Sequence, residues 1–292
     1  MDGIVTVLKP PGMTSSNVVY DVRKIFNEKK VGHLGTLDPG ACGILPVCIG
    51  KATKLFDLLV EKRKTYIFEI CFGAETDTMD SYGNIIKRCD RILDVSSFCD
   101  VLSEFNGQML QKAPAYSALK VNGQKMYDLA RNGNEVPDRY RNITIDKLEL
   151  LKHNGENRFL CKLICSRGTY VRTLCSDIGE RLSMPSYMSF LLRTDEDIFT
   201  LQDAYTIQEL QEIKEHNELE NVLMDCETAL SQYPTIYLSD ERRRPTKNGL
   251  ETSVHAENGK YRVYADGFLG LGEVENRKLK LKIHLYDDGK NE

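Results

Sequence analysis

No stretch of this chain of 292 residues approaches the roughly 18 apolar residues that a membrane-spanning helix requires. Its nine cysteines include no CxxC pair, and its five histidines do not cluster with them, so the spacing disfavours a zinc site. The N-terminus lacks the pattern of a cleavable signal peptide, and an odd number of cysteines in such a chain is typical of reduced thiols. We therefore expect a cytoplasmic protein without a membrane anchor.

Basic charge is also scarcer than in most nucleic-acid-binding proteins, because the formal net charge is −4. The shortage is local: residues 203–230 contain eight acidic residues and one lysine, so the remainder of the chain has a net charge of +3. The basic residues outside that segment form short groups, which are Lys62, Arg63 and Lys64; Arg139 and Arg141; and Arg242, Arg243, Arg244 and Lys247. Each group is either a solvated face or a set of phosphate contacts, and we expect the acidic segment to point away from RNA.

Strand and helix patterns follow one another without a regular βαβ alternation. Capping residues at 14–16 precede a predicted helix, and residues 65–72 alternate in the manner of a strand with one apolar face. Residues 143–151 and 158–165 are two further predicted strands, and helical spacing from residue 171 onward indicates a strand-to-helix transition. This mixture predicts the α+β fold class.

The composition changes after residue 234. Residues 235–292 contain short strand-like runs separated by Asn-Gly and Asp-Gly turn signals, which predict a small all-β module. A chain of 292 residues is long enough for one large and one small domain. We therefore predict a first domain at residues 1–232 and a second at residues 235–292.

A glycine-rich segment at residues 32–46 contains one carboxylate, Asp38, followed directly by Pro39. Glycines allow a backbone to adopt positive φ angles and to approach a ligand closely, and proline fixes the turn. A carboxylate in such a loop, without a neighbouring acid in the sequence, is suited to nucleophilic chemistry. The same pattern is also typical of a helix cap or a simple turn, so these residues alone leave both interpretations open.

Five segments carry a resemblance to a known family, and they are LKPPGMTSSNVV (8–19), GHLGTLDPGACGILPVCIGKATKL (32–55), KTYIFEICFGAETDTMDSYG (64–83), APAYSALKVNGQKMYDLAR (113–131) and CSRGTYVRTLCSDIG (165–179). In this order they resemble the pseudouridine synthases of the tRNA pseudouridine synthase B type, which modify uridine in the T arm of tRNA. The resemblance implies a pseudouridine synthase catalytic fold with a mixed, largely antiparallel sheet and flanking helices. It also implies an RNA-gripping insertion at residues 114–142. The C-terminal module resembles the RNA-binding barrel of the PUA type, and a purely structural lid is its alternative.

The resemblance implies catalytic roles for Asp38, Tyr66 and Arg172. Asp38 matches the nucleophile, and whether it attacks the base or the ribose stays open. Arg172 is the implied partner that keeps a buried carboxylate ionised and oriented, although by itself it is typical of a surface helix residue. Tyr66 is the implied platform for a flipped-out base and a shuttle for protons, although its alternation with Phe68 and Ile70 also fits a core strand.

The resemblance extends to residues that bind or support. Three are implied to contact the substrate, and they are His33, Tyr170 and Leu191. A lone histidine beside glycine is more often structural, so the role of His33 depends on the resemblance. Three match positions expected to support the catalytic loop, and they are Lys9, Pro10 and Gly35. Three basic residues of the C-terminal module are candidates for RNA contacts, and they are Arg242, Arg243 and Lys247.

The expected function is the isomerisation of uridine to pseudouridine at position 55 of tRNA. This reaction involves no redox change and adds no atom, so we expect no metal and no other cofactor. The expected partner is the T-arm stem-loop of tRNA, bound by a monomer that has no obligatory protein partner. Two alternatives stay open. One is a tRNA-binding or tRNA-folding protein with little or no catalysis, and the other is a small-RNA-guided pseudouridine synthase, a type that usually carries longer terminal extensions.

Overall fold

The computed structural model of the chain describes residues 1–59, 63–114, 116–117, 120–121, 124–126 and 137–286. The predicted RNA-gripping insertion at 114–142 lies mostly outside these ranges, as do Lys62 and the end of the predicted C-terminal module. The helices are α1 (Ser15–Phe26), α2 (Phe56–Leu59), α3 (Val95–Glu104), α4 (Val171–Arg181), α5 (Ile207–Glu215) and α6 (Arg243–Lys247). The strands are β1 (Gly3–Lys9), β2 (Val31–His33), β3 (Cys42–Ile49), β4 (Lys64–Phe72), β5 (Ala74–Thr76), β6 (Ile85–Arg88), β7 (Gly107–Lys112), β8 (Lys120–Val121), β9 (Gln124–Lys125), β10 (Tyr140–His153), β11 (Arg158–Cys165), β12 (Ser186–Glu196), β13 (Phe199–Thr200), β14 (Ala204–Tyr205), β15 (Thr235–Tyr237), β16 (Thr252–Ser253), β17 (Gly259–Tyr264), β18 (Phe268–Glu275) and β19 (Lys278–His284).

The main sheet has the strand order β14-β1-β3-β12-β4-β11-β10-β7, with β13 beside β12 and β2 beside β3. Its pairs β1–β14 and β3–β12 are parallel. The remaining pairs along this sheet are antiparallel. A mixed, largely antiparallel sheet with flanking helices is the predicted α+β architecture, so the predicted fold class is confirmed.

Helix α1 shows how the local sequence produces the layers. Its N-cap is Thr14, whose side-chain oxygen accepts a hydrogen bond from the backbone N–H of Asn17 at 3.1 Å, which confirms the predicted helix start. Apolar residues at helical spacing, among them Val18 and Val22, are buried together with α5 and with one face of β1 and β3. The opposite face of β1 and β3, which includes Ile4, packs against residues of the C-terminal sheet.

Strand β4 lies in the middle of the main sheet and carries the predicted alternation. Tyr66, Phe68 and Ile70 are buried in one cluster with residues of α3 and α4, while Ile67 and Glu69 on the other face are partly exposed. Strand β11 ends at Cys165 and helix α4 begins at Val171, which confirms the predicted strand-to-helix transition. The main sheet therefore brings the second residue of α4 and the start of β4 to the same end of the molecule as the loop between β2 and β3.

The C-terminal sheet has the order β15-β17-β18-β19-β16 and a small core of its own, as the strand-like runs predict. It also carries the short helix α6, which the strand pattern did not predict. Leu271 and Leu285 from this sheet are buried in one cluster with Ile4 and Ile44 of the main sheet. The C-terminal sheet is therefore packed firmly against the rest of the chain.

Two findings concern membranes and thiols. In the part of the chain that the structure describes, no helix has the length and apolar character needed to cross a bilayer. All nine cysteines lie in the described ranges, and all of them are free thiols.

Candidate active site

Asp38 lies in the loop that connects β2 and β3, and this loop is held on both sides of the carboxylate. The hydroxyl of Ser15 donates to the carbonyl of Leu37 at 3.0 Å and accepts from the N–H of Leu37 at 2.9 Å. The carbonyl of Pro39 accepts from the backbone N–H of Gly12 at 2.8 Å. Both neighbours of Asp38 in the chain are thus fixed by the segment at 12–15, and the direction of the carboxylate is set.

Lys9, the last residue of β1, lies fully buried beneath this loop. Its Nζ donates to the carbonyls of Pro10 at 2.9 Å, Met13 at 2.6 Å and Pro39 at 3.2 Å. Burial lowers the pKa of Lys9 to about 8, although the nearby carboxylate of Asp38 opposes this shift. Lys9 therefore connects the segment 10–13 to the loop of Asp38. Pro10 is itself exposed, and it supplies one of the three carbonyls.

Arg172 is the second residue of α4, and its guanidinium is buried beside Asp38. Its Nε lies 2.9 Å from Oδ2 of Asp38, so the two side chains form an ion pair. Its terminal nitrogens donate to the carbonyls of Thr78 at 3.2 Å and Tyr116 at 3.0 Å. A second carboxylate, that of Asp80, lies 3.8 Å from Nη1. The resemblance implies a buried carboxylate, but the side chain of Asp38 is 40% exposed while that of Arg172 is 6% exposed. Arg172 is thus fixed in place, whereas the carboxylate of Asp38 is open to a cavity that both residues line.

Tyr66, the third residue of β4, is 7% exposed and faces the same cavity. Burial raises the pKa of its phenol well above the ordinary value of 10, because the charged form is poorly solvated. The positive charge of Arg193 acts against this shift. Tyr66 and Arg193 are direct partners in the register of β4 and β12.

A buried ion network lies behind Tyr66, and the sequence analysis did not predict it. Glu196 is fully buried, and its two carboxylate oxygens lie 3.0 Å from Nζ of Lys64 and 3.1 Å from Nη1 of Arg193. Gly35, at φ +74°, lies over this network, and a Cβ there would come within 3.2 Å of Nη1 of Arg193. Gly43 has φ +112°, and a Cβ there would come within 2.2 Å of the carbonyl oxygen of Arg193, so only glycine fits at the β3–β12 contact.

The cavity in front of these residues has a volume of about 300 Å³. Its described lining includes one carboxylate, Asp38, and several basic side chains, which are Lys64, Arg141, Arg167, Arg172 and Arg193. The local charge is therefore positive although the whole chain has a net charge of −4. Such a field favours a polyanionic ligand.

Three residues expected to contact the substrate also line this cavity, and they are His33, Tyr170 and Leu191. Tyr170 is held by Gln111, whose side-chain oxygen accepts from its N–H at 2.8 Å and whose amide donates to its carbonyl at 3.1 Å. Burial and the charge of Arg193 lower the pKa of His33, which favours the neutral imidazole. Leu191 is 7% exposed and belongs to the same apolar cluster as Tyr66.

A second cavity of about 340 Å³ lies on the other side of the ion pair. Asp38, Arg172 and Leu191 line both cavities, and the second is completed mainly by Tyr82 and Tyr116 with their neighbours. Asp38 thus lines two spaces: the charged side chains of the first are mostly basic, while the second is lined mainly by uncharged residues and includes a further carboxylate, that of Asp80.

The basic residues predicted in the C-terminal module do not line either cavity, and most of their polar groups have internal partners. Arg242 donates to the hydroxyl of Thr252 at 2.7 Å and to the carbonyl of Glu251 at 2.9 Å. Arg243 donates to the carbonyls of two loop residues, Ala265 and Asp266. Nζ of Lys247 lies 4.1 Å from the ring centroid of Tyr286. Arg244 is exposed, and within the described residues its guanidinium has no hydrogen bond or ion pair, although its backbone carbonyl accepts from the N–H of Asn248 at 3.1 Å.

Several supporting residues escaped the sequence analysis. Ser15 and Gln111 hold neighbours of the predicted site residues through hydrogen bonds to the backbone, and nothing in the sequence distinguishes them from ordinary polar residues. Arg193 and Glu196 carried a signal, because charged side chains three residues apart interrupt a strand that is otherwise largely apolar. Within the described ranges no group of three or more His, Cys, Asp or Glu side chains is arranged to hold a metal ion.

Comparisons with known proteins identify the family of the chain. Residues 23–171 match the family described as TruB family pseudouridylate synthase (N terminal domain), and residues 172–231 match the tRNA pseudouridylate synthase B C-terminal domain. A protein of Caldanaerobacter subterraneus subsp. tengcongensis named tRNA pseudouridine synthase B is 40% identical, over 97% of this chain and 98% of its own length. A protein of the same name from Clostridioides difficile is 39% identical, also over 97% of this chain and 98% of its own length.

Two solved structures have the same fold. One is a chain in an H/ACA RNP bound to a substrate RNA containing 2′-deoxyuridine, with a TM-score of 0.73 and 22% identity over 98% of this chain and 85% of that chain. The other belongs to an archaeal box H/ACA sRNP Nop10-Cbf5 complex, with a TM-score of 0.72 and 21% identity over 97% of this chain and 86% of that chain. At these identities the likeness concerns the fold alone.

Proposed function

The chain belongs to the TruB family of pseudouridylate synthases and is an isomerase that converts uridine to pseudouridine, and we propose that its substrate is uridine 55 in the T arm of tRNA. One observation supports this cavity as the active site: Asp38 and Arg172 form an ion pair at 2.9 Å, and both line the basic cavity. The relatives at about 40% identity bear the name of a tRNA enzyme, which supports tRNA as the substrate.

Asp38 is the proposed nucleophile. The reaction breaks the bond between N1 of uracil and the ribose and forms a bond from C5 of the same base, while a proton leaves C5 and another is gained at N1. A carboxylate that is anchored from behind yet 40% exposed can reach a bound nucleotide without first moving. Arg172 directs this carboxylate through the ion pair, and its own position is fixed by hydrogen bonds from its terminal nitrogens to two backbone carbonyls.

The target base must leave the RNA stack before it can react. Tyr66 supplies a ring at the wall of the cavity against which a flipped uracil can stack, and its phenol is the proposed proton-transfer group. Tyr170, Leu191 and His33 are proposed to complete the walls around the base. The basic lining, with Arg141 and Arg167 on the α4 side of the cavity, is suited to the phosphates that flank the flipped nucleotide.

The division into a catalytic domain at 1–232 and an RNA-binding module at 235–292 is also a proposal. Support for it comes from the separate core of the C-terminal sheet and from the exposed guanidinium of Arg244. The internal partners of Arg242 and Arg243 argue that these two residues act mainly in the structure of the module. We further propose that the enzyme is cytoplasmic and that it acts as a monomer without an obligatory protein partner. Light scattering on the purified protein tests whether it is a monomer.

The test of the proposed function is a pseudouridine assay on a T-arm stem-loop with the purified protein in EDTA. We expect uridine 55 to be converted without added metal, nucleotide or guide RNA, and we expect a stem-loop with cytidine at this position to bind without reacting. Binding of both RNAs without product would favour the tRNA-folding protein instead. Product only after addition of a guide RNA would favour the guided type.

A further inference from the structure

Arg193 is a fully buried cation at the back of the cavity, and it has no role in the reaction steps proposed for Asp38 and Tyr66. It stands directly opposite Tyr66 in the β4–β12 pair, and both residues line the cavity. Directly paired residues of an antiparallel sheet project to the same face, so the guanidinium and the phenol lie side by side.

The guanidinium of Arg193 is held from three directions. Its Nε donates to the carbonyl of Ile44 at 2.8 Å, and its Nη2 donates to the carbonyl of Gly35 at 3.2 Å. Its Nη1 lies 3.1 Å from Glu196, which is equally buried. A planar group fixed in this way cannot follow a moving partner, so the partner must adapt to it.

The way in which Arg193 can act on Tyr66 follows from their chemistry and from their direct pairing in the sheet. An arginine side chain has five N–H donors and no acceptor, so the guanidinium cannot accept the phenol proton and can interact favourably only with the phenol oxygen. The proton of the phenol then has to point away from the guanidinium, toward the cavity in which the base is proposed to lie. When the phenol gives up this proton, the phenolate oxygen remains next to a fixed positive charge.

We infer that Arg193 is a positioning residue that acts through Tyr66: it directs the phenol proton toward the substrate and stabilises the phenolate during proton transfer. The inference rests on the proposed role of Tyr66. The proton that the phenol donates at one stage is recovered at another stage of the same turnover, so no further reactant is needed. Glu196 in turn orients Arg193 through one carboxylate oxygen and binds Lys64 through the other.

The competing explanation is that Arg193 serves only to fill and neutralise the interior, as many buried ion networks do. Lys64 is the matched comparison, because it is buried, it pairs with the same carboxylate, and it is not among the groups that shift the pKa of Tyr66. A purely structural role predicts that the loss of either cation acts independently of Tyr66. The positioning role predicts that only the loss of Arg193 is coupled to Tyr66.

The test is a double-mutant cycle on the full chain, with single-turnover rates measured at saturating T-arm RNA. Tyr66→Phe, Arg193→Met and the double variant are compared with the parent, and Lys64→Met is combined with Tyr66→Phe in a parallel cycle. We expect Arg193→Met to slow conversion on the order of 100-fold and to add less than about threefold to the defect of Tyr66→Phe. We expect any effect of Lys64→Met to multiply with that of Tyr66→Phe.

Two further measurements keep the test decisive. Arg193→Lys retains the charge but not the fork of donors, so it should recover part of the rate that Arg193→Met loses, and it replaces Arg193→Met in the cycle if that variant does not fold. In the parent, Arg193 lowers the pKa of Tyr66 against the effect of burial, so Arg193→Met should move the pH-rate profile to higher pH with little change in RNA affinity. If the rate losses of Tyr66→Phe and Arg193→Met multiply in the double variant, and Arg193→Met leaves the pH-rate profile unshifted, the inference is overturned. Full activity of Tyr66→Phe would instead remove the proposed role of Tyr66 itself.

Discussion

The cavity of Asp38 and the C-terminal sheet both contain arginines that are hydrogen bonded to backbone carbonyls, yet they use them differently. In the cavity, Arg172 and Arg193 have backbone partners and still reach Asp38 and Tyr66. In the C-terminal sheet, Arg242 and Arg243 have backbone partners and are not among the described residues that line the two cavities at Asp38. A cluster of basic residues in a sequence is therefore not the same as a basic surface.

The electrostatic difference between the two regions is as large as the geometric one. The described lining of the main cavity contains five basic side chains and one carboxylate. Asp240 and Glu241 lie in the turn just before helix α6, which carries Arg243, so the charge of that segment is partly neutralised. We therefore expect the chemistry and a large part of the RNA contact to lie at the cavity, with a smaller contribution from the C-terminal sheet.

The largest expected effect concerns Asp38→Asn, which keeps the size and polarity of the side chain but removes the nucleophile. We expect no detectable pseudouridine, an unchanged melting temperature, and tRNA affinity within about tenfold, or roughly 1.4 kcal/mol. Single-turnover conversion, filter binding and thermal unfolding measure these three quantities. Asn substitutes well for Asp as a cap or turn residue, so an active variant would identify Asp38 as structural.

Tyr66→Phe comes next, because it retains the ring and removes only the phenol oxygen. We expect a rate reduction on the order of 100-fold and binding within a few-fold of the parent, since stacking is preserved while proton transfer is impaired. Phe68→Leu is a suitable control, because it alters the buried face of the same strand without touching the cavity. A parental rate for Tyr66→Phe would leave the ring as a platform alone.

A smaller effect is expected in the C-terminal sheet, where two adjacent arginines form a matched pair. Arg244→Ala should weaken tRNA binding about threefold and reduce the salt dependence by about one phosphate contact, with stability unchanged. Arg243→Ala removes donors to two loop carbonyls, so it should lower the free energy of unfolding by about 1 kcal/mol. Binding measured at several salt concentrations, together with urea unfolding, separates the two. The reverse assignment of effects would mean that Arg243 is the RNA contact.

The smallest effect is expected in stability alone, at Asp177 on the helix that carries Arg172. Burial, with a contribution from Glu180, raises the pKa of Asp177 from its ordinary value of 3.8 to about 6. The folded state therefore holds this proton more tightly than the unfolded chain, and the stabilisation present below pH 3.8 is lost as the pH rises through about 6.

Asp177→Asn should remove this penalty. We expect the free energy of unfolding at pH 7 to rise by about 1 kcal/mol after allowance for solvent screening, with no gain near pH 3.5 and no change in turnover. Unfolding curves across this pH range, with Glu180→Gln as the control, provide the measurement. An equal gain at both pH values would indicate packing and not protonation as the cause.

Asp38, Tyr66 and Arg172, which the structure brings together at one cavity, were singled out by local motifs and by the resemblance of these motifs to a known family, and their catalytic roles stay predictions. The run around Asp38 carries its own glycines and proline, and the segment with Arg172 marks the start of a helix, so each motif indicates both a residue type and a backbone shape. Strand alternation likewise identified the face of β4 that carries Tyr66.

What the sequence did not reveal depends on contacts between distant parts of the chain. The pairing of Lys64 and Arg193 with Glu196 arises only when β4 and β12 lie side by side, and no local pattern specifies that register. The internal partners of Arg242 and Arg243 are similarly set by how their loops close. Exposure of Asp38 could not be predicted either, because it depends on which segments leave the carboxylate uncovered.

The most direct test of the central claim is to map every uridine of an unmodified tRNA after reaction with the purified parent protein and with Asp38→Asn. The proposed function predicts pseudouridine at position 55 with the parent and none there with Asp38→Asn, although both proteins bind the tRNA. Pseudouridine at another position with uridine 55 unchanged, or product formed by Asp38→Asn, would contradict it.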